Sequence, residues 1–458
     1  MYECPNCAAN LRYHITKKKL YCDSCETTMD PYAYQKDKDA EESNDYEVTI
    51  FTCPQCGGEI INEETTAATF CSYCGASTIL DSRISKERRP KYIIPFAKTK
   101  ADCKRAYSKV LSEALFAPDE LKDSEHIEKF RGIYMPYWTY SFEKKEPVKM
   151  LGCKTRRSGD YLISKHYNID TELDISYEGI AFDASATFSD SLSNAIAPFD
   201  IKKGKPFTPS FLSGFYADTS DLEEKVYAAE AEALFRKDAG ETLKKKKEFS
   251  KYGLGEEEKY SLEVAMRPTA KSADLCLFPV WFLSYRKNDR VAYAVVNGQN
   301  GRVAADLPID IKKYLVGSLL IALPIFVLLN LFFTLKPSAI LIFAIIFAFI
   351  CLIIANVQLT RIIKREKMED DKGLLQYMKK PGNSKTSRFP ILIKPIIAIV
   401  LAICILIAAP AEDMIYYIGS IVCMVTMGFV VFDCVKMHNL LTTRKLPQLG
   451  RRGGDENA

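Results

Sequence analysis

The sequence predicts a multidomain fold: two small β zinc ribbons, an α+β cytoplasmic domain with a duplicated helix and β-hairpin unit, and an all-α four-helix transmembrane region. Three observations carry this prediction. Eight of the fifteen cysteines stand in two sets of equal spacing, and the only two tryptophans share one heptapeptide frame. Long apolar runs fill the last third of the chain, although the mean hydropathy of −0.09 looks soluble. A chain of 458 residues is also long enough for two to four structural units.

Cys4-x2-Cys7 is followed after fourteen residues by Cys22-x2-Cys25, and Cys53-x2-Cys56 after fourteen by Cys71-x2-Cys74. Adding 49 to each cysteine of the first set gives the second, an internal repeat. Each C-x2-C turn directs two thiolates at one ion, and two turns complete the closed Cys4 shell that suits structural Zn2+. The expected cofactors are therefore two structural zinc ions, in ribbons at residues 1–30 and 50–80. Four thiolates leave no open position for water, which argues against a catalytic zinc. Eight reduced cysteines without metal are the alternative. His14 lies in the first hairpin, but Glu63 stands at the same place in the second, so it is read as a surface residue.

The stretches "CPNC…CDSC" and "CPQCGG…CSYCGA" resemble the zinc ribbons of general transcription factors and RNA-polymerase subunits. From the second ribbon through "FRGIYMPYW", "FLSGFYAD", "LFPVWFLSY" and "NGQNGRVAADLP", the chain is similar to a family of uncharacterised bacterial zinc-ribbon membrane proteins. That resemblance implies an architecture and no activity. The ribbon resemblance alone would suggest nucleic-acid binding, but charge opposes it. Residues 1–80 hold six basic and thirteen acidic side chains, with no Lys or Arg from Cys53 to Cys74. Nucleic-acid affinity rests mainly on cationic contacts to phosphate, so a protein-facing or purely structural role is expected.

The polar stretch "KDKDAEESNDYE" within residues 31–49 predicts a flexible linker. The basic "RISKERRPKY" after the second ribbon is expected to be an exposed linker, with contact to anionic headgroups as the alternative. Residues 93–308 are expected to form one α+β domain. "KADCKRAYSKVLSEAL" places Cys103, Ala106, Tyr107, Val110, Leu111, Ala114 and Leu115 at helical spacing, the pattern of an amphipathic helix. "DLEEKVYAAEAEALFRKDAGETLKKK" predicts a second helix, opened by acids and closed by lysines. Downstream of each helix comes a P-x-W-x-x-S-[FY] segment, Pro136–Phe142 and Pro279–Tyr285, apolar on both faces as buried strands are. The second leads through "KNDR", "VAYAVV" and "NGQNG" into "RVAAD", the pattern of successive hairpins. Trp138 and Trp281 thus mark two copies of one unit, as core residues or, alternatively, as stacking surfaces for a ligand.

Catalytic patterns are missing: no P-loop, HExxH, G-x-S-x-G or dinucleotide-binding glycines occur, so no enzyme is expected. Cys103, Cys153 and Cys276 have no flanking motif and are expected to be buried thiols.

Residues 314–335, 338–359, 391–409 and 415–435 are each apolar enough and long enough for a bilayer core of about 30 Å. Four transmembrane helices are expected within 314–437, ahead of a basic cytoplasmic tail at 438–458. Nine basic residues between Arg361 and Arg388, and five more from Lys436 to Arg452, place both termini in the cytoplasm by the positive-inside rule. "MYECPNC" lacks the look of a signal peptide, which agrees. Lys394 and Asp433 fall near the expected cytoplasmic ends of their spans. These expectations combine into a membrane-anchored cytoplasmic adapter or scaffold, with the acidic second ribbon docking a basic protein partner or the basic linker of another copy. A zinc- or redox-responsive membrane sensor and a transport-associated component are the alternatives.

Overall fold

Alternation of Leu11, Tyr13 and Leu20 with polar neighbours produces the first three strands, β1 (Leu11–His14), β2 (Lys19–Cys22) and β3 (Thr28–Met29). They pair antiparallel in that order as a separate small sheet. The computed structural model describes residues 2–33, 45–61, 71–76, 81–185, 188–254, 259–288, 290–332, 336–366 and 389–445. Most of the expected linker (34–44), the second ribbon's hairpin tip, the basic loop at 367–388 and the tail from 446 lie outside them.

Two segments read as linkers contain strands: the end of the first is β4 (Asp45–Thr52), and the basic stretch supplies β6 (Asp81–Arg88). Between them Glu59–Ile61 of the second ribbon is β5. β6 pairs with β4 along its whole length, from Asp45 opposite Arg88 to Thr52 opposite Asp81. Backbone pairing, not side-chain burial, orders this stretch. Ile84 is 77% exposed.

Then follow β7 (Tyr92–Ile93), α1 (Lys100–Glu113) and α2 (Ser124–Ile127). α1 opens on a capping box between Thr99 and Asp102 and buries the expected Cys103, Tyr107 and Leu111, but it ends at Glu113, so that Leu115, expected on the same face, is 74% exposed. Strands β8 (Arg131–Ser158) and β9 (Tyr161–Asp183) form a long hairpin that turns at Gly159, whose φ of +65° suits glycine. After α3 (Asp190–Ile196), β10 (Lys205–Pro206) and β11 (Tyr216–Asp218) comes α4 (Ala228–Lys245), which ends on lysines as expected but opens at Ala228, beyond the acids Asp221, Glu223 and Glu224 expected to start it. α5 (Lys259–Ala265), β12 (Ala270–Lys287), β13 (Arg290–Asn297) and β14 (Val303–Ala305) complete the domain.

The large sheet runs β10-β7-β12-β8-β11-β5-β4-β6, with β9 on β8 and β13 on β12. Its register explains the tryptophan frame. Met135 and Phe278, the residues just before the two heptapeptides, lie directly opposite each other in the antiparallel β8–β12 pair. A pseudo-twofold axis therefore passes through that pair, relating the two units. On its outer side β8 pairs parallel with β11 at Ile133 and Tyr134, then antiparallel with β9 from Tyr137. β12 pairs parallel with β7 at the equivalent Cys276 and Leu277, then antiparallel with β13 from Val280. Pro136 and Pro279 stand where one neighbour gives way to the next. Central strands tolerate a residue without an N–H at such a point.

Each short strand thus precedes the helix of one unit and pairs with the hairpin of the other. The tryptophans secure this exchange. Trp138 Nε1 donates to the Leu222 carbonyl at 2.8 Å, and Trp281 Nε1 to the Lys98 carbonyl at 2.9 Å. Leu222 lies six residues beyond Tyr216 of β11, and Lys98 six beyond Tyr92 of β7. The two bonds are symmetry mates. Both rings are buried, as core residues are.

Helices α6 (Ile311–Phe332), α7 (Pro337–Glu366), α8 (Phe389–Ala408) and α9 (Asp413–Thr442) follow, covering the four apolar runs. Two of them, over Pro337–Arg361 and Asp413–Leu440, are long and apolar enough to cross a membrane. The chain then returns to the sheet as β15 (Arg444–Lys445), opposite Arg290 and Val291.

Candidate metal centres

Each C-x2-C pair sits in a tight knuckle whose backbone bonds are the same at all four places. Ala8 N donates to Cys4 O, Glu26 N to Cys22 O, Gly57 N to Cys53 O and Gly75 N to Cys71 O, at 2.8–3.0 Å. All four donors have positive φ: +57° at Ala8, +59° at Glu26, +73° at Gly57 and +71° at Gly75. Glycine adopts this region freely and other L-residues do so at a cost. The first ribbon carries backbone strain that the second avoids.

The knuckles bring together the two predicted ligand sets, Cys4, Cys7, Cys22 and Cys25, and Cys53, Cys56, Cys71 and Cys74, each within 4.8 Å. Regular tetrahedral coordination with Zn–S of about 2.3 Å requires sulfurs roughly 3.8 Å apart. In the second set Cys53 and Cys74 are 3.8 Å apart and Cys56 and Cys71 are 3.7 Å apart. In the first, Cys7 lies 3.4 Å from both Cys22 and Cys25, slightly tighter. Both donor sets fit a tetrahedral thiophilic ion. His14 stays outside the set, its Nδ1 accepting from the Lys17 amide and its ring edge against Tyr21.

Metal binding needs thiolates, and hydrogen bonds among the sulfurs split each set, lowering Cys25, Cys53 and Cys74 while raising Cys7, Cys56 and Cys71. The Thr27 hydroxyl and amide, with help from Cys7, hold Cys25 down at about 6. A hydrogen bond from Cys71 first of all brings Cys53 to about 6.

The two centres differ most in their surroundings. In the first, Cys7 and Cys25 are exposed while Cys4 and Cys22 are buried. The ribbon rests on the domain through Tyr13 N to the Ser213 carbonyl, Ser213 Oγ to the Leu11 carbonyl, and Tyr13 against Phe211. In the second centre all four cysteines are buried. There β5 pairs with β11, Tyr73 meets Phe282, and Tyr293 Oη donates to the Tyr73 carbonyl. The sulfurs of the second ribbon are part of the domain core. Equal cysteine spacing carried no sign of this difference, because the covering residues come from β11, β12 and β13.

Cys103, Cys153 and Cys276 are buried thiols, as expected. Burial raises Cys276 to about 11. No protein-family model matches the chain, and neither does any solved structure. Among curated proteins it is similar to the Uncharacterized protein YdjG of Bacillus subtilis (strain 168), with 25% identity over 317 residues, 68% of this chain and 91% of that protein.

Proposed function

We propose that this chain is a non-enzymatic, membrane-anchored cytoplasmic adapter or scaffold, in which the first ribbon faces a protein partner and the second builds the platform that holds it. The observation that carries this reading is the exposure of Cys7 and Cys25 beside four buried cysteines in the second ribbon. The anchor consists of four spans with both termini cytoplasmic. Its support is the charge pattern together with a clamp between its two ends. Asn439 accepts from the Ile309 amide and donates to the Ile309 carbonyl. Arg290 donates to Thr443 and to the Leu440 carbonyl. A chain that leaves the domain at Ile309 and returns at Asn439 favours an even number of crossings. Lys394 and Asp433 pair between α8 and α9, which lowers the cost of charges in those helices.

The test is affinity purification of the detergent-solubilised full chain beside a Cys7→Ser/Cys25→Ser variant, with nuclease, followed by mass spectrometry. A nuclease-resistant protein lost in a variant that elutes normally and keeps one zinc supports the reading. Equal capture by both forms refutes it. The exposure difference also favours a second reading, a zinc- or redox-responsive sensor. In that case mild oxidant empties the first centre, the second holds, and partner capture switches with zinc content.

A further inference from the structure

The pseudo-twofold gives each position in one unit a mate in the other, and one pair of mated sites is opposite in charge. Beside Trp138 stand Asp274 and Glu224, both answered from within the chain. Lys91 Nζ lies 3.0 Å from Asp274, and Arg88 lies 3.6 Å from Glu224 with its guanidinium 4.8 Å above the Trp138 ring. Beside Trp281 the mates are Arg131, in the place of Asp274, and Lys100, in the place of Glu224. The register fixes these equivalences: Arg131 lies opposite Phe282 as Asp274 lies opposite Thr139. Lys100 follows Lys98 by two residues as Glu224 follows Leu222.

The answering charges are not reproduced at the mated positions, although Lys100 is answered from elsewhere, by the carboxylate and carbonyl of Glu128. The mate of Lys91 is Phe215, an uncharged ring. In place of a filled site there is an open cleft of about 260 Å³, lined by Arg12 of the first ribbon, Lys100, Arg131, Phe215, Tyr216 and Trp281 among others. Among the described residues Arg131 makes no side-chain hydrogen bond or ion pair. The one carboxylate paired with Lys100 is Glu128, which Lys104 shares. Three cations converge on a cleft just below the usual ligand-pocket range of about 300–1,000 Å³.

We propose that this cleft binds a phosphorylated small molecule, with its phosphate oxygens held chiefly by Arg131, while Lys100 and Arg12, each already engaged within the chain, add positive charge. The planar guanidinium of Arg131 offers paired donors matched to phosphate oxygens. The half-buried Tyr216 supplies an aromatic wall for the rest of a small ligand, beside the buried Phe215 and Trp281. Arg12 belongs to the first ribbon and Arg131 to the central sheet, so the ligand bridges the exposed ribbon to its platform. The inference stands apart from the adapter reading and needs no protein partner.

Inorganic pyrophosphate titrated calorimetrically into the detergent-solubilised full chain tests it, with zinc content measured before and after. Binding at one site, weakened by salt, is expected. Arg131→Gln weakens it about tenfold or more, and Arg131→Lys restores part of the loss. Lys91→Gln, in the mated site that the chain fills itself, leaves it unchanged. The proposal is overturned if wild type binds no pyrophosphate at millimolar concentration in low salt, if Arg131→Gln binds equally well, or if the heat tracks zinc loss.

Discussion

Zinc should leave the two ribbons at very different rates. Solvent reaches Cys7 and Cys25 directly, so a chelator can attack the first centre while the fold stays intact. The second centre opens only if the layer over it separates, which uncovers Phe51, Ile60 and Tyr73, all at most 5% exposed. Each such side chain stabilises the closed state by about 2 kcal/mol. Three give about 6 kcal/mol, or a fraction open of roughly one in 10⁴. A chromogenic chelator in excess should thus register one equivalent quickly and a second about 10⁴ times more slowly when opening limits release. Cys7→Ser/Cys25→Ser removes the fast phase and keeps the slow one. Release of both equivalents in one phase, or a slow phase that vanishes with Cys7 and Cys25, refutes the burial argument.

The strained knuckles make a related prediction: Ala8→Gly and Glu26→Gly each relieve about 1 kcal/mol at positive φ, slowing the fast phase roughly fivefold. Trp138→Phe leaves the Leu222 carbonyl without its indole donor, a cost of about 1–3 kcal/mol. Trp281→Phe costs less, because its bond to the Lys98 carbonyl is only partly buried and water can substitute there; thermal melts of the two variants compare them. His126 is half-buried with Nε2 unpartnered, and burial holds its pKa below the ordinary value. The unfolded chain therefore takes up its proton first, near pH 6.5. Stability is full above about pH 6.5 and declines as pH falls through the lower folded value. His126→Phe should flatten that part of the melting curve measured against pH.

The features legible in sequence were those set by local chemistry. Cysteine spacing gave both ligand sets, and helical spacing placed the start of α1 at Lys100. The shared heptapeptide gave the duplicated unit, since proline and tryptophan both have demanding places in a sheet. Long-range pairing was not legible. β6 carries Arg83, Lys86 and Arg88 and leaves Ile84 exposed, so no apolar face distinguishes it from a linker; only its partner β4 does. Likewise β5 meets β11 some 150 residues away in sequence, and that contact buries the second ribbon. The arm beyond Phe142 alternates weakly: Val148 and Met150 pack inward near its base, whereas Tyr161 and Leu162 at its tip are exposed. Its length exceeded any strand that a reading by local pattern would assign.

The duplicated core also accounts for where the asymmetric features lie. Because β7 and β11 cross to the opposite unit, neither unit completes its own sheet, and the two must fold together. Beyond the exchanged strands the halves diverge. On one side β7 is met by β10, a two-residue strand ending at Pro206, which has no N–H to offer a further neighbour. On the other, β11 is met by β5 of the second ribbon, and the sheet continues through β4 and β6. The same divergence replaces the answered Asp274 and Glu224 with the cations Arg131 and Lys100. Symmetry serves the scaffold, since the tryptophan bonds and proline positions repeat in both halves. Departures from it gather around the first ribbon and the cleft beneath it, where the core imposes no requirement for exposed thiols or convergent cations. Substitutions there should alter binding before they alter folding, whereas substitutions along the axis at Met135 and Phe278 should do the reverse.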